Sequence, residues 1–414
     1  TPDGSSLLNP FDQGDVPDFN VFFFLVMAFN AIYTYMAWQG TQGYNCSARN
    51  PHEAKMAKIL AGWRFLGTWL VIAVIPLFAY ALFNGNQFPE SAAAAQSAID
   101  SLGDEGLQRQ LTVPLALKEM LPIGIFGLFV SAMLAAAIST DDTYLHSWGS
   151  IFIQDVLLPF KKKTLSPEDH LRWLRRSIVG VAIFAWFFGM IFPLYDYIFM
   201  YWAITGAIYV GGAGSVIIGG FYWKRATTTG AWAGMITGSV LSVTGVLLIN
   251  IFWPHILPSL QERFPGSWIE SLPKEFWFNG VEVSFYASIL AVSAFVIGSL
   301  LTKPAPGFSM DRLLHRGAYA IEGEHQVIDR GPRGLWGILG VDSEYTWRDK
   351  AVALGIFLWT VFWFTIFVGG TVYGLGNETT EEGWAQYWLF HCAVKIAVGM
   401  LTVIWFLWGG FRDL

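Results

Sequence analysis

Apolar residues along this chain gather in runs close to the ~20 residues that a helix needs to cross a bilayer. Nine runs are predicted to span: Asn20–Trp38, Ile59–Phe83, Leu121–Thr140, Ser177–Pro193, Tyr197–Trp223, Ala231–Trp253, Val283–Leu301, Val352–Tyr373 and Tyr387–Trp408. Only Leu194-Tyr195-Asp196 separates the fourth from the fifth, and Pro193 and Asp196 punctuate them as distinct elements. The expected fold class is all-α, a polytopic membrane helix bundle forming a single transmembrane domain over residues 1–414.

Composition strengthens this reading. Of 414 residues 54% are hydrophobic, 17% aromatic and 14% charged, against the ~25% charged of a soluble domain. The 43 Gly, 20 Trp and 34 Phe suit helices packed in lipid and anchored at its interfaces. A net charge of -6 does not suggest a nucleic-acid partner. Cys46 and Cys392 have no metal or redox spacing and are expected to be free thiols. The polar stretch Thr1 to Asp18 lacks a charged n-region ahead of a short apolar core. No signal peptide is predicted, and a processed or truncated start is expected.

Basic residues set the orientation, because Lys- and Arg-rich loops stay cytoplasmic. Alternate loops hold 19 of the 25 Lys and Arg, from Arg49, Lys55 and Lys58 through Lys161–Lys163, Arg172, Arg175 and Arg176 to Arg412. The opposite loops hold Arg109, Lys118, Arg263 and Lys274. The chain is therefore expected to start outside and end inside, as an odd span number requires. The outer connection Asn84–Lys118 reads equally as a short helical cap or as a solvated loop. Residues 302–349 read as a cytoplasmic linker with amphipathic pieces, and 350–414 as two C-terminal membrane helices.

No catalytic motif stands out: the seven histidines are scattered, and HExxH, Walker, GxSxG and strand-to-helix GxGxxG patterns are lacking. The chain is not expected to be an enzyme. Gly230, Gly234 and Gly238 form a small-xxx-small ladder suited to close helix packing. Arg64 and Lys395 are costly at bilayer depth and are functional candidates, although Arg64 could snorkel and Lys395 could pair or face a polar cleft. The third span offers more. Ala136, Ser139 and Thr140 stand at i, i+3 and i+4, so that one carbonyl and two hydroxyls share a helix face. This half-site of hard oxygens suits Na⁺, which needs weakly charged ligands if it is to bind and leave. The alternative is that the hydroxyls bond back to the preceding turn.

The run Ala136-Ala137-Ile138-Ser139-Thr140-x-Asp142-Thr143, followed by Ser147, Ile151-Phe152 and Asp155, resembles the eighth core helix of the sodium:solute symporter family, which includes sodium/proline, sodium/pantothenate and sodium/sugar transporters. Thr205-Gly206 through Gly219-Gly220-Phe221-Tyr222-Trp223-Lys224-Arg225-Ala226-Thr227-Thr228-x-Gly230-Ala231 is similar to its tenth core helix and exit. The first span, ending Trp38-x-Gly40-Thr41-Gln42, is similar to its sixth. The resemblance covers most of Asn20–Ile249; residues 20–249 would be core helices six to ten and the helix after them.

This resemblance implies a fold of two inverted five-helix repeats with sites near the midplane, of which this chain supplies the second repeat and trailing helices. Ala136, Ser139 and Thr140 would form half of a sodium site. First-repeat helices, from the same parent chain or less expectedly from a partner chain, would complete it. Solute-pocket candidates are Thr34, Trp38 and Trp202; Trp38 keeps the sugar-branch pattern, whereas Thr34, Ala37 and Trp202 depart from it and favour a smaller or more apolar solute. Asp142 is a candidate anchor behind the ion ligands or part of an inner ion exit. Asp141, where the family usually has an apolar or small residue, raises the hypothesis of an extra cation site. The implied activity is Na⁺-coupled symport of a small organic solute through a bacterial inner membrane. Two alternatives stay open, a transporter-like sensor feeding a signalling region beyond Leu414 and a structural membrane subunit.

Overall fold

The computed structural model describes residues 6, 8–12, 20–38, 40, 47–161, 165–191, 198–273, 275–304, 307–313, 315, 317–319, 334–341 and 344–413. Among them there is helix and no strand. In chain order the helices are α1 (Val21–Ala37), α2 (Pro51–Asn84), α3 (Pro89–Asp100), α4 (Glu105–Met120), α5 (Ile123–Ile151), α6 (Pro167–Ile191), α7 (Ile198–Tyr222), α8 (Thr228–Leu247), α9 (Leu257–Arg263), α10 (Gly280–Leu301), α11 (Met310–Leu313), α12 (Leu335–Ile338), α13 (Trp347–Gly376) and α14 (Glu381–Asp413). A π-turn, Phe152–Leu157, continues α5, and another, Leu248–Ile256, joins α8 to α9.

Eight helices among the described residues are long and apolar enough to cross a membrane, and they match eight of the nine predicted runs. The first run is an apolar helix of 17 residues. At 1.5 Å per residue it is about 26 Å long, slightly short of a ~30 Å hydrocarbon core. The predicted turn at Pro193–Asp196 and the thiol of Cys46 lie outside the described residues. Cys392 is a free thiol.

Two compact units divide the chain: residues 1–5, 13–40 and 148–326, and residues 6–12, 41–147 and 327–414. In the first, α8 packs between α7 and α10, and its glycine ladder makes this possible. Gly230, Gly234 and Gly238 are all buried. A Cβ on Gly238 would lie 2.6 Å from the Gly212 Cα, one on Gly234 2.7 Å from Ser215 Oγ, and one on Gly230 2.6 Å from the Phe295 carbonyl oxygen. Bare backbone at the crossing lets polar groups meet, so Ser239 Oγ donates to the Ile208 carbonyl at 2.8 Å and Thr227 and Thr302 share a hydroxyl hydrogen bond of 2.7 Å. In lipid, where hydrophobic attraction between helices is absent, such contacts drive association.

Helix α1 lies along α7 and α10. Phe23 and Val26 bury against Met200 and Val281, while Tyr33 and Ala37 bury against Val210 further along. The contacts give α1 and α7 the same direction and α8 the opposite one, in line with alternating spans.

In the second unit α2 and α14 run antiparallel, with Gly67 beneath Val403 and Gly399 beneath Leu66 and Leu70. Helix α13 runs parallel to α2; Trp63 Nε1 donates to the Val352 carbonyl at 3.0 Å. The connection Asn84–Lys118 is helical: α3 and α4 pack on the end of α2 through Ala79, Leu82, Ala95 and Ala116. Within residues 302–349, the described helical pieces are short turns at 310–313, 317–319 and 335–338.

Candidate ion and solute site

Helix α5 carries the predicted ion ligands in its second half. Ala136, Ser139, Thr140, Asp141 and Asp142 all lie within one uninterrupted helix, with exposed side chains in their unit. The helical spacing puts Ala136, Ser139 and Thr140 on one face, as expected. Thr140 Oγ1 donates to the Ala136 carbonyl at 2.9 Å, and Thr143 Oγ1 donates to the Ser139 carbonyl at 2.9 Å. The back-bonding alternative is thus realised at Thr140.

Its chemical consequence is specific. A hydroxyl that donates its only proton inward turns its two acceptor lone pairs away from the helix, which is the orientation a cation requires. The Ala136 carbonyl is differently placed, because it takes both the helical amide and the Thr140 hydroxyl. To face an ion it would have to surrender the second bond.

No group of three or more His, Cys, Asp or Glu that could hold a metal ion occurs among the described residues. A transported cation here would meet hydroxyl and carbonyl oxygens, a set that suits a monovalent ion better than a divalent one.

The solute candidates lie in the other unit. Thr34 is half-buried on α1, and its carbonyl accepts the Trp38 amide at 2.8 Å at the helix end. Trp38 packs with Tyr33, Ala37 and Val210. Trp202 on α7 is 58% exposed and lies two residues beyond Met200, which meets Phe23 and Val26. Tyr33 meets α7 at Gly211 and Gly214, so Trp202 lies roughly 15 Å along the helix from that level. Thr34 and Trp38 share one end of the α1–α7 seam and Trp202 marks the other.

Two residues of this seam escaped the sequence reading. Tyr33 donates its hydroxyl to the Gly211 carbonyl at 2.9 Å, in a space that exists because Gly214 has no side chain. Asn30 is buried, and its Nδ2 has no hydrogen-bond partner in the structure. The available signal was an Asn one helical turn before Thr34, two polar residues on one face of an otherwise apolar run.

The chain is 24% identical to sodium/glucose cotransporter 1 of Oryctolagus cuniculus over 278 residues, covering 64% of this chain and 39% of that protein. It is 26% identical to the sodium/sialic acid symporter of Proteus mirabilis over 204 residues, covering 48% and 39% respectively. With the sodium/proline symporter of Salmonella typhimurium it shares 28% identity over 229 residues, 48% of this chain and 42% of the relative. The chain thus spans about two-fifths of the length of these curated relatives. The sequence profile of the sodium:solute symporter family matches residues 21–238, from α1 through the glycine ladder of α8. Since that match takes in more than half of the residues, the chain belongs to the sodium:solute symporter family.

Proposed function

We propose that this chain forms the second-repeat part of a sodium-coupled symporter for a small organic solute. The observation that carries the reading is the family match over 21–238, which includes an α5 face where the Thr140 hydroxyl turns its lone pairs outward. Ser139 and Thr140 contribute hydroxyl oxygens to Na⁺, Thr140 while its proton stays on the Ala136 carbonyl; the Ala136 carbonyl is an alternative ligand, open to the ion only when that bond is broken. First-repeat helices supply the remaining ligands. Asp142, a turn or less beyond, anchors the ion ligands from behind or lines the ion's exit to the inner face, and Asp141 is the candidate for a further cation. Thr34, Trp38 and Trp202 contribute to the solute path.

Coupling is a difference in affinity between two states. Na⁺ binding favours an outward-open form, and its release inside carries the solute along. A charge moving inward gains about 2.3 kcal/mol per 100 mV, enough for one ion to support appreciable accumulation.

The test is uptake by proteoliposomes holding this chain together with the first-repeat helices, with and without a Na⁺ gradient, over sugars, amino acids and carboxylates. Na⁺-driven uptake that disappears in Ser139→Ala/Thr140→Ala is expected. Uptake indifferent to Na⁺ and to both hydroxyls would overturn the ion site.

A further inference from the structure

Beyond the family match, the second unit holds a cluster that the symport reading leaves unused. The Lys395 ammonium of α14 lies 4.2 Å from the ring centre of Trp69 on α2 and 5.0 Å from that of Trp363 on α13. One turn earlier on α14, His391 sets its ring 4.5 Å from Trp363 and 6.0 Å from Trp69. Three helices therefore converge on one intramembrane cation.

The polar edges of this cluster are unpartnered. Trp363 Nε1 and His391 Nδ1 are buried without a hydrogen-bond partner in the structure. No ion pair joins Lys395 to a carboxylate among the described residues. The acidic residues of the three helices are remote: Glu53 on α2, Asp349 on α13, and Glu381, Glu382 and Asp413 on α14. At 1.5 Å per residue each stands about 20 Å or more along its helix from Lys395, Trp363 or Trp69, and Glu381 and Glu382 about 14–15 Å from His391. Asp12, beside Trp384 by way of Phe11, is about three turns of α14 away and accepts the Ser6 amide. Indole faces hold an ammonium, yet they leave its full charge uncompensated, and an indole N–H can only donate. A half-buried positive charge beside a buried indole N–H that has no acceptor calls for one negative charge and acceptor lone pairs.

We propose that Lys395, Trp363 and His391 form a binding site for a small monovalent anion of chloride size. Lys395 supplies the charge, and the Trp363 indole N–H and the imidazole supply directed hydrogen bonds. A lipid phosphate is disfavoured by depth: Lys395 lies eight residues, about 12 Å, inside the nearer end of the apolar span Tyr387–Trp408.

The experiment measures thermal unfolding of the purified chain in sodium chloride against sodium gluconate at equal ionic strength, with sodium acetate and added anionic lipid as further arms. Expected is a saturable rise in Tm of about 2–4 °C in chloride, smaller in acetate, retained in Lys395→Arg and lost in Lys395→Met. Trp363→Phe, which keeps a ring and removes the N–H, should raise the chloride concentration needed for half the effect several-fold. Excess ³⁵Cl linewidth with the unaltered chain, displaced by bromide, reads the same site should Lys395→Met fail to fold. Identical Tm in chloride and gluconate without excess linewidth, a shift kept in Lys395→Met, or a response to anionic lipid alone would each overturn the proposal.

Discussion

At the scale of single residues, Thr140 carries the sharpest consequence. Its hydroxyl proton is committed to the Ala136 carbonyl, so what it offers outward is lone-pair density. Thr140→Ser preserves that and Thr140→Val, which has nearly the same shape, removes it. We expect Thr140→Ser to leave the Na⁺ dependence of uptake close to unaltered, whereas Thr140→Val should raise the half-saturating Na⁺ concentration at least ~10-fold, the equivalent of about 1.4 kcal/mol. Equal Na⁺ curves for the two variants would remove Thr140 from the ion's ligands. Tyr33 tests packing instead. Tyr33→Phe deletes one buried hydrogen bond and leaves the Gly211 carbonyl without that donor. A loss of about 0.5–1.5 kcal/mol is expected, read as a lower Tm in detergent without a selective change in Na⁺ affinity.

Helices raise a different question, namely how closely their axes approach. At Gly238 a Cβ would meet the Gly212 backbone, which has no flexible end to give way, while nothing lies within 4 Å of a Cβ built on Gly220. Gly238→Ala should therefore cost about 1–3 kcal/mol as overpacking. Gly220→Ala should be neutral, or stabilising by up to ~1 kcal/mol through helix propensity. Thermal unfolding of the two variants side by side checks the contrast, and equal Tm would mean that the α7–α8 crossing is looser than the Gly238–Gly212 approach requires.

This ladder was legible in the sequence because three glycines at i, i+4 and i+8 have few other uses in a membrane helix. Helix ends were less so. Apolar runs mark bilayer depth, whereas ends are set by caps lying outside the runs. Asn50, accepting the Glu53 amide, starts α2 eight residues before the predicted Ile59. The Thr346–Asp349 capping box starts α13 five residues before Val352. The connection Asn84–Lys118 could not be decided from apolarity, since α3 and α4 are short and polar on one side; their helicity is supported by packing onto Ala79 and Leu82. In the candidate site, the hydroxyl spacing on α5 was readable. The direction of the Thr140 proton and the burial of Asn30 depend on rotamers and neighbours that a linear pattern does not encode.

At the scale of the whole molecule, helix directions provide a check on topology. Within the first unit α1, α7 and α10 run one way and α8 the other; within the second, α2 and α13 run one way and α14 the other. Nine alternating spans give those relations, since the first, fifth and seventh share a direction, as do the second and eighth. Alternation together with the placement of Lys and Arg predicts that the α9–α10 connection is outside and the α10–α13 connection inside. Single cysteines at Ser267 and Ser309, introduced after Cys46 and Cys392 are replaced by serine, should report this in intact cells. A membrane-impermeant maleimide is expected to label the cysteine at 267 directly, and the one at 309 only after permeabilisation. Labelling of both from outside would remove a span between them. The reverse pattern would keep the bundle and invert it, placing the Asp141–Asp142 end of α5 at the outer face and reversing the direction in which bound Na⁺ would be released.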